Sequence, residues 1–244
     1  MYNVDVTNLH KSYGKKKVLK GINFRAKKGE IIGVIGKNGA GKSTFLEILM
    51  TIKEFDSGEV VVLDQNLKNI SDTKLKKLKE NISAVLQPTQ FYKKLKIKEL
   101  LQLFNAYYGN KANLEEIIDE FELQGHLNSY FDDLSGGWKQ KVSLAIAFSS
   151  NPRLIILDEP TTGLDPHMRN RLWKNIINYI KKNESTVILS THYMDEIETY
   201  CDKVLFINNG TNEIFDTPQN ILNLGYKTIN DFYLKKISAE GEMI

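Results

Sequence analysis

Gly36-Lys37-Asn38-Gly39-Ala40-Gly41-Lys42-Ser43-Thr44 (GKNGAGKST) decides how the rest of the chain is read. It satisfies the spacing G-x-x-x-x-G-K-[ST] in full. Glycines let the backbone curl until several N–H groups converge on one anion. Lys42 adds a point charge for the β- and γ-phosphates of a nucleotide, and the Ser43 hydroxyl is of the right type to ligate Mg²⁺. Glu30 to Ile35 (EIIGVI), just before the loop, is a short apolar run of the buried-strand type. Lys42 to about Met50, just after it, reads as a helix with Phe45, Leu46, Leu49 and Met50 on one face. Strand, glycine loop and helix in that order predict a phosphate site.

Two further apolar runs extend the pattern, Arg153 to Leu157 (RLIIL) and Thr186 to Leu189 (TVIL). Between them Met168, Leu172, Trp173, Ile176, Ile177 and Ile180 form a stripe with the helical period. Asp165-Pro166 opens that helix as N-cap and first residue. Strands alternating with helices indicate βαβ units and a mainly parallel sheet. The first run ends in Asp158-Glu159. Two carboxylates at the end of a buried strand are costly unless something uses them. Asp158 suits a Mg²⁺ ion, and Glu159 suits the base that orients and deprotonates a water. The second run ends in Ser190-Thr191-His192. Strands of a parallel sheet end on one side, where ligands bind, so His192 is placed to reach a γ-phosphate.

The flanks differ in character. Tyr2 to Leu9, Lys17 to Phe24 and Glu59 to Leu63 are β-like runs punctuated by Gly14 and Gly29, as in a small antiparallel sheet. From about Pro88 to Ser150 the patterns are helical. Leu100, Leu101, Phe104, Tyr107 and Tyr108 make one face, and Leu114, Ile117, Ile118 and Phe121 another. Within this stretch, Leu134-Ser135-Gly136-Gly137 precedes a helix expected over Gln140 to Ser149. It forms a second anion-binding turn. After His192 a short helix leads to a hairpin, Val204 to Ile207 and Thr211 to Phe215, around Asn208-Asn209-Gly210.

Composition sets bounds. The 244 residues suffice for one large domain. The net charge of +3 is too small to point to nucleic acid. Cys201 is the only cysteine, which excludes an intramolecular disulfide and suits a reducing compartment. It falls in an apolar pattern with Met194 and Ile197 and reads as a core residue. Neither a signal-peptide pattern at the N-terminus nor an apolar run of membrane-spanning length is present. Lys74 to Lys79 (KLKKLK) reads as a solvated helix face.

Taken in order, Tyr13, Gly36 to Thr44, Gln87, Leu134 to Gly137, Leu154 to Pro160, Gly163-Leu164-Asp165 and His192 make the chain resemble the ATP-binding subunit of an ABC transporter. The match runs nearly end to end. The resemblance implies an α/β fold: a P-loop NTPase core with a mainly parallel sheet, an N-terminal antiparallel β-subdomain and an inserted helical subdomain. It implies one ATPase domain over 1–244, with 1–87 and 151–244 as the core and 88–150 as the lobe that carries LSGG. ATP and Mg²⁺ are the implied cofactors. Lys42, Glu159, His192 and Gln87 are the implied catalytic groups. Ser43, Asp158 and Gln87 would serve the metal. Tyr13 would stack on adenine. Gly36, Lys37, Asn38, Gly39, Ala40, Gly41, Lys42, Ser43 and Thr44 would hold the phosphates.

The resemblance also accounts for a second phosphate turn. In this family two subunits pack head to tail, so Ser135, Gly136 and Gly137 would meet the ATP held by the partner, and Asp165 would reach across the dimer. A separate multi-spanning permease is the other implied partner, met near Pro88 to Lys96, with the chain at the cytoplasmic face of the membrane. Trp138 departs from the glutamine that often follows LSGG in this family. Leu157 to Pro166, Ser190 to Glu196 and the tail Lys227 to Leu234 are similar to subunits of drug, antibiotic and bacteriocin exporters. An ABC ATPase without transport, of the iron–sulfur-cluster assembly type, is the alternative.

Overall fold

The computed structural model describes residues 1–86, 91, 94–109 and 111–238. In chain order the strands are β1 (Tyr2–Tyr13), β2 (Lys16–Lys27), β3 (Ile31–Ile35), β4 (Ser57–Val62), β5 (Gln65–Asn66), β6 (Ile82–Val85), β7 (Leu154–Asp158), β8 (Thr186–Ser190), β9 (Lys203–Asn208) and β10 (Thr211–Asp216). The α-helices are α1 (Lys42–Leu49), α2 (Asp72–Lys79), α3 (Ile97–Tyr107), α4 (Leu114–Glu120), α5 (Gly136–Phe148), α6 (Pro166–Asn183), α7 (Met194–Tyr200), α8 (Pro218–Leu222) and α9 (Ile229–Ser238).

Two sheets form. One is antiparallel, in the order β2-β1-β4-β5, as the N-terminal runs predict. The other has the order β10-β9-β3-β8-β7-β6 and is parallel except for the β9–β10 hairpin. β3, β8 and the first four residues of β7 are buried throughout. Such strands lie between two covered faces, so their sequences run apolar instead of alternating.

The period of two still sorts their side chains. Ile32, Val34, Leu154 and Ile156 enter one core with Phe45, Leu46, Ile48 and Leu49 of α1 and the antiparallel sheet. Ile31, Ile35, Ile155 and Leu157 enter a second core with α5, α6 and α7. Trp173 is buried there and stacks on Tyr200 at 4.4 Å. Cys201 is buried in the same core, and burial raises its thiol pKa well above the ordinary range, so it is inert packing.

Between β6 and β7 the described residues form helices and 3-10 turns, with one isolated β-bridge, Lys96 to Tyr130. Three expectations need correction. Tyr107 is 81% exposed and does not belong to the buried face of α3, whose core residues are Ile97, Leu100, Leu101 and Asn105. β6, which pairs with β7 at the edge of the sheet, is not among the expected strands, and the helix expected at Lys74 to Lys79 is α2, solvated except for buried Leu78. α5 starts at Gly136, four residues before the predicted Gln140. Glycine's low helix propensity argued against that start. The first turn, however, makes no intrahelical N–H bonds, so its residues need little propensity.

Candidate functional site

The ends of β3, β7 and β8 lie side by side, and the loops that leave them build the site. Asp158 pairs in register with Ser190 across β7 and β8. A cavity of about 300 Å³ opens there, lined by Lys16, Val18, Asn38, Gly39, Gly41, Lys42, Ser43, Thr44, Asp158 and Glu159. The glycine loop and the acidic pair, far apart in sequence, thus share one concavity. Gly36 and Gly41 are required by contact. A Cβ on Gly36 would lie 2.2 Å from the Ile207 carbonyl oxygen, and one on Gly41 would lie 2.7 Å from Leu19. Gly41 also has φ 110°, a backbone that side chains disfavour.

Lys42 is buried, and its ammonium donates to the carbonyls of Gly36 at 2.6 Å and Lys37 at 3.1 Å. Burial lowers its pKa, with the charges of Glu159 and Asp158 opposing that shift. A phosphate, as an opposite charge, favours the charged form of such a group and opposes that shift. The side chain of Lys37 turns away, donating to the Ile237 carbonyl of α9 at 3.1 Å. Lys37 therefore contributes backbone to the loop while its side chain ties the loop to the C-terminal helix. Ala40 is buried beneath the loop and Asn38 is exposed on it.

Glu159 has φ 50°, the left-handed region, which costs a non-glycine residue on the order of 1 kcal/mol or more. Its N–H is held by the Ser190 carbonyl and hydroxyl, each at 3.1 Å. Its carboxylate contacts His192 Nε2 at 2.6 Å and accepts from Thr162 Oγ1 at 3.2 Å. The Ser190 hydroxyl in turn donates to Asp158. One serine hydroxyl thereby braces both acidic residues. Exposed Ser43 and half-buried Asp158 offer hydroxyl and carboxylate oxygens to the same cavity, the hard donor set that Mg²⁺ takes together with phosphate oxygens and water. These residues fit the ion.

The remaining predicted residues lie elsewhere. Tyr13, at the end of β1, does not line the cavity. It is 44% exposed, with the ammonium groups of Lys11 and Lys53 5.4 and 5.2 Å from its ring. Ser135 and Gly136 are exposed and Gly137 half-buried at the start of α5, with Ser135 as N-cap. None of the three lines the cavity. A Cβ on Gly137 would lie 3.4 Å from both Leu164 and Met168, so the turn packs on the residues that flank Asp165. Asp165 caps α6, accepting from the Met168 N–H at 2.9 Å. Trp138 lies 4.0 Å from the His126 ring and 4.7 Å from the Lys141 ammonium, so it packs within the helical region. Gln87 and most of Pro88 to Lys96 lie outside the described residues.

Sequence reading missed Lys16 and Val18, which line the cavity, and Ser190, which braces it. Lys16 and Val18 follow Tyr13 closely, but nothing in their type marks them.

The protein-family description "ABC transporter" matches residues 19–162, more than half of the chain. The chain belongs to the ABC transporter family. Within it, the Nod factor export ATP-binding protein I of Rhizobium sp. (strain N33) is 30% identical over 261 residues, covering 99% of this chain and 84% of that protein. A solved ATP-binding subunit of an ABC transporter superposes with TM-score 0.85 at 28% identity, covering 95% of this chain and 98% of that one. The ATP-binding cassette MJ0796, solved as a dimer in a post-hydrolysis state with ADP and Pi, superposes with TM-score 0.78 at 25% identity, over 88% and 98% of the two chains. This ABC protein is the subunit that binds and hydrolyses ATP for its transporter. Among its described residues no helix is long and apolar enough to cross a membrane.

Proposed function

We propose that this ABC subunit works as half of a head-to-tail dimer at the cytoplasmic face of a membrane, driving export through a separate multi-spanning permease. The contact that carries the catalytic reading is His192 Nε2 to Glu159 Oε1, 2.6 Å, beside the cavity that holds Lys42. A carboxylate braced at a strand end suits the base that orients and deprotonates the attacking water. His192 then supports that base and faces the γ-phosphate. Lys42 and the loop N–H groups of Gly36 to Thr44 hold the phosphates. Ser43 and Asp158 would hold Mg²⁺, with Gln87 as a further contact. When bound, the ion neutralises charge building on the phosphate oxygens.

Ser135, Gly136 and Gly137 present the N-terminal end of a 13-residue helix, whose first-turn N–H groups have no intrahelical partner. Lying outside their own chain's cavity, with Ser135 and Gly136 exposed, they are suited to the γ-phosphate of ATP held by a second subunit, with Asp165 nearby. Tyr13 would take the adenine once its two lysines yield the ring face. The segment 88–150 acts as a lobe on the core formed by 1–87 and 151–244. Export is supported by the Nod factor relative and by the exporter-like stretches of sequence.

The test is Glu159→Gln. Turnover should fall by about 10²- to 10⁴-fold, the usual contribution of a positioned base, while ATP binding persists and an ATP-bound dimer accumulates. Turnover at the parental rate would remove Glu159 from this role. Co-purification of a stoichiometric multi-spanning protein from native membranes checks the permease. Its absence would remove the separate multi-spanning permease from this reading.

A further inference from the structure

A buried carboxylate behind the site has no part in the mechanism above. Glu196, in the first turn of α7, is 1% exposed. One of its oxygens accepts from Thr161 Oγ1 at 3.0 Å and from Thr191 Oγ1 at 2.9 Å. The other accepts from Arg169 Nε at 3.0 Å. Both threonines are buried as well. An ionised carboxylate in such a place is costly unless donors and an opposite charge meet it, and here both do. Arg169 is itself fixed, donating to Asp195 at 3.0 Å and lying 3.8 Å from the Tyr193 ring centroid.

The partners identify the purpose. Thr161 stands two residues after Glu159. Thr191 stands immediately before His192, and its hydroxyl also accepts from the Tyr193 N–H at 3.0 Å, turning the chain into α7. Arg169 belongs to the first turns of α6, the helix that Asp165 opens. One carboxylate therefore gathers the neighbours of both members of the Glu159–His192 pair and ties them to a helix of the core. A carboxylate, with an acceptor oxygen on each side and a full negative charge, meets two hydroxyls and a guanidinium at once. Glutamine in its place would remove the charge that faces Arg169 and force the two hydroxyls or the guanidinium to change partners.

We propose that Glu196 is a positioning residue for ATP hydrolysis, holding the loops that carry Glu159 and His192 at the separation their contact requires. The inference rests on the reading of Glu159 and His192 as the catalytic pair. It acts on kcat, because neither Glu196 nor Thr161, Thr191 or Arg169 lines the cavity that takes the phosphates.

The experiment compares Glu196→Gln with the parent at equal folded fraction, with Glu159→Gln measured alongside. Glu196→Gln should lower kcat about ten- to a hundredfold, the scale of a misplaced catalytic group. The dissociation constant for ATP should stay within about twofold. A merely structural role would lower the melting temperature and leave kcat per folded molecule unchanged. The ring resonances of His192 give a second readout. In the parent they should move on Glu159→Gln, and in Glu196→Gln they should start displaced and respond less. If Glu196→Gln does not fold, Thr161→Val and Thr191→Val each remove one donor and carry the same test with smaller losses. A parental kcat or parental His192 signals in the folded variants would overturn the proposal. Parental turnover by Glu159→Gln alone would instead overturn the catalytic reading, and the proposal with it.

Discussion

Two glycine turns lead into helices in this chain, one at Gly36 to Thr44 and one at Leu134 to Gly137, and their surroundings are opposite. The first lies at the end of a buried strand, with Lys42 beneath it and Asp158 and Glu159 across a shared cavity. The second opens α5 at the surface, with exposed Ser135 and Gly136 and no acidic side chain in the first turn. Both turns offer backbone N–H groups to an anion, yet only the first has the charged groups that chemistry needs. A turn with donors and no chemistry of its own suits a site completed by another subunit.

Single substitutions should separate the two turns. Lys42→Ala removes the charge under the phosphates and should abolish detectable ATP binding by the isolated subunit. Ser135→Arg should leave that binding near parental and remove turnover, because it blocks only the face offered to a partner. Titration with a fluorescent ATP analogue beside a phosphate-release assay distinguishes them. Equal loss of ATP binding in both variants would erase the contrast.

A smaller effect concerns how the second turn is held. Lys141 of α5 is almost wholly buried, pairs with Glu122 at 2.5 Å and lies against Trp138, while Arg171 of α6 also binds Glu122. Those hydrogen bonds, Lys141 first and then Arg171, outweigh the effect of burial and lower the Glu122 pKa. Glu122→Gln should cost about 1–3 kcal/mol, the scale of weakening a hydrogen bond to a buried charge. Urea unfolding should show a lower midpoint with an unchanged slope, and ATP binding at the first turn should survive. An unmoved midpoint would show that this bridge does not hold α5.

The smallest effect is a matter of pH. With its pKa lowered chiefly by burial, Lys42 gives up its proton at a lower pH than an ordinary lysine. ATP affinity should therefore decline before about pH 10.4, the ordinary lysine value, and binding in that range should take up a proton. Affinity that stays flat to that pH would contradict the burial argument.

What the sequence disclosed followed from contiguity. The glycine loop, the strand ending in Asp158-Glu159 and the Asp165-Pro166 helix start are each local, so type and spacing sufficed. The hairpin was legible too, since its turn takes positive φ at Asn209 and Gly210, as such turns demand. Ser190 and Glu196 were not legible in this way. Their partners lie 27 or more residues away along the chain, except for Thr191, and only folding brings them together. Tyr107 failed for a related reason: the helical period placed it on an apolar face, and the neighbours that decide exposure come from other elements.

The central claim is that the Leu134 to Gly137 turn serves ATP bound to another subunit. The direct measurement mixes Lys42→Ala subunits with Ser135→Arg subunits, both carrying Glu159→Gln so that bound ATP is not consumed, and counts ATP retained by dimers isolated by size exclusion. Each mixed dimer keeps one intact composite site and one doubly damaged site. Retained ATP that rises above either variant alone is the predicted result. A mixture that retains no more than its separate components would contradict the shared site.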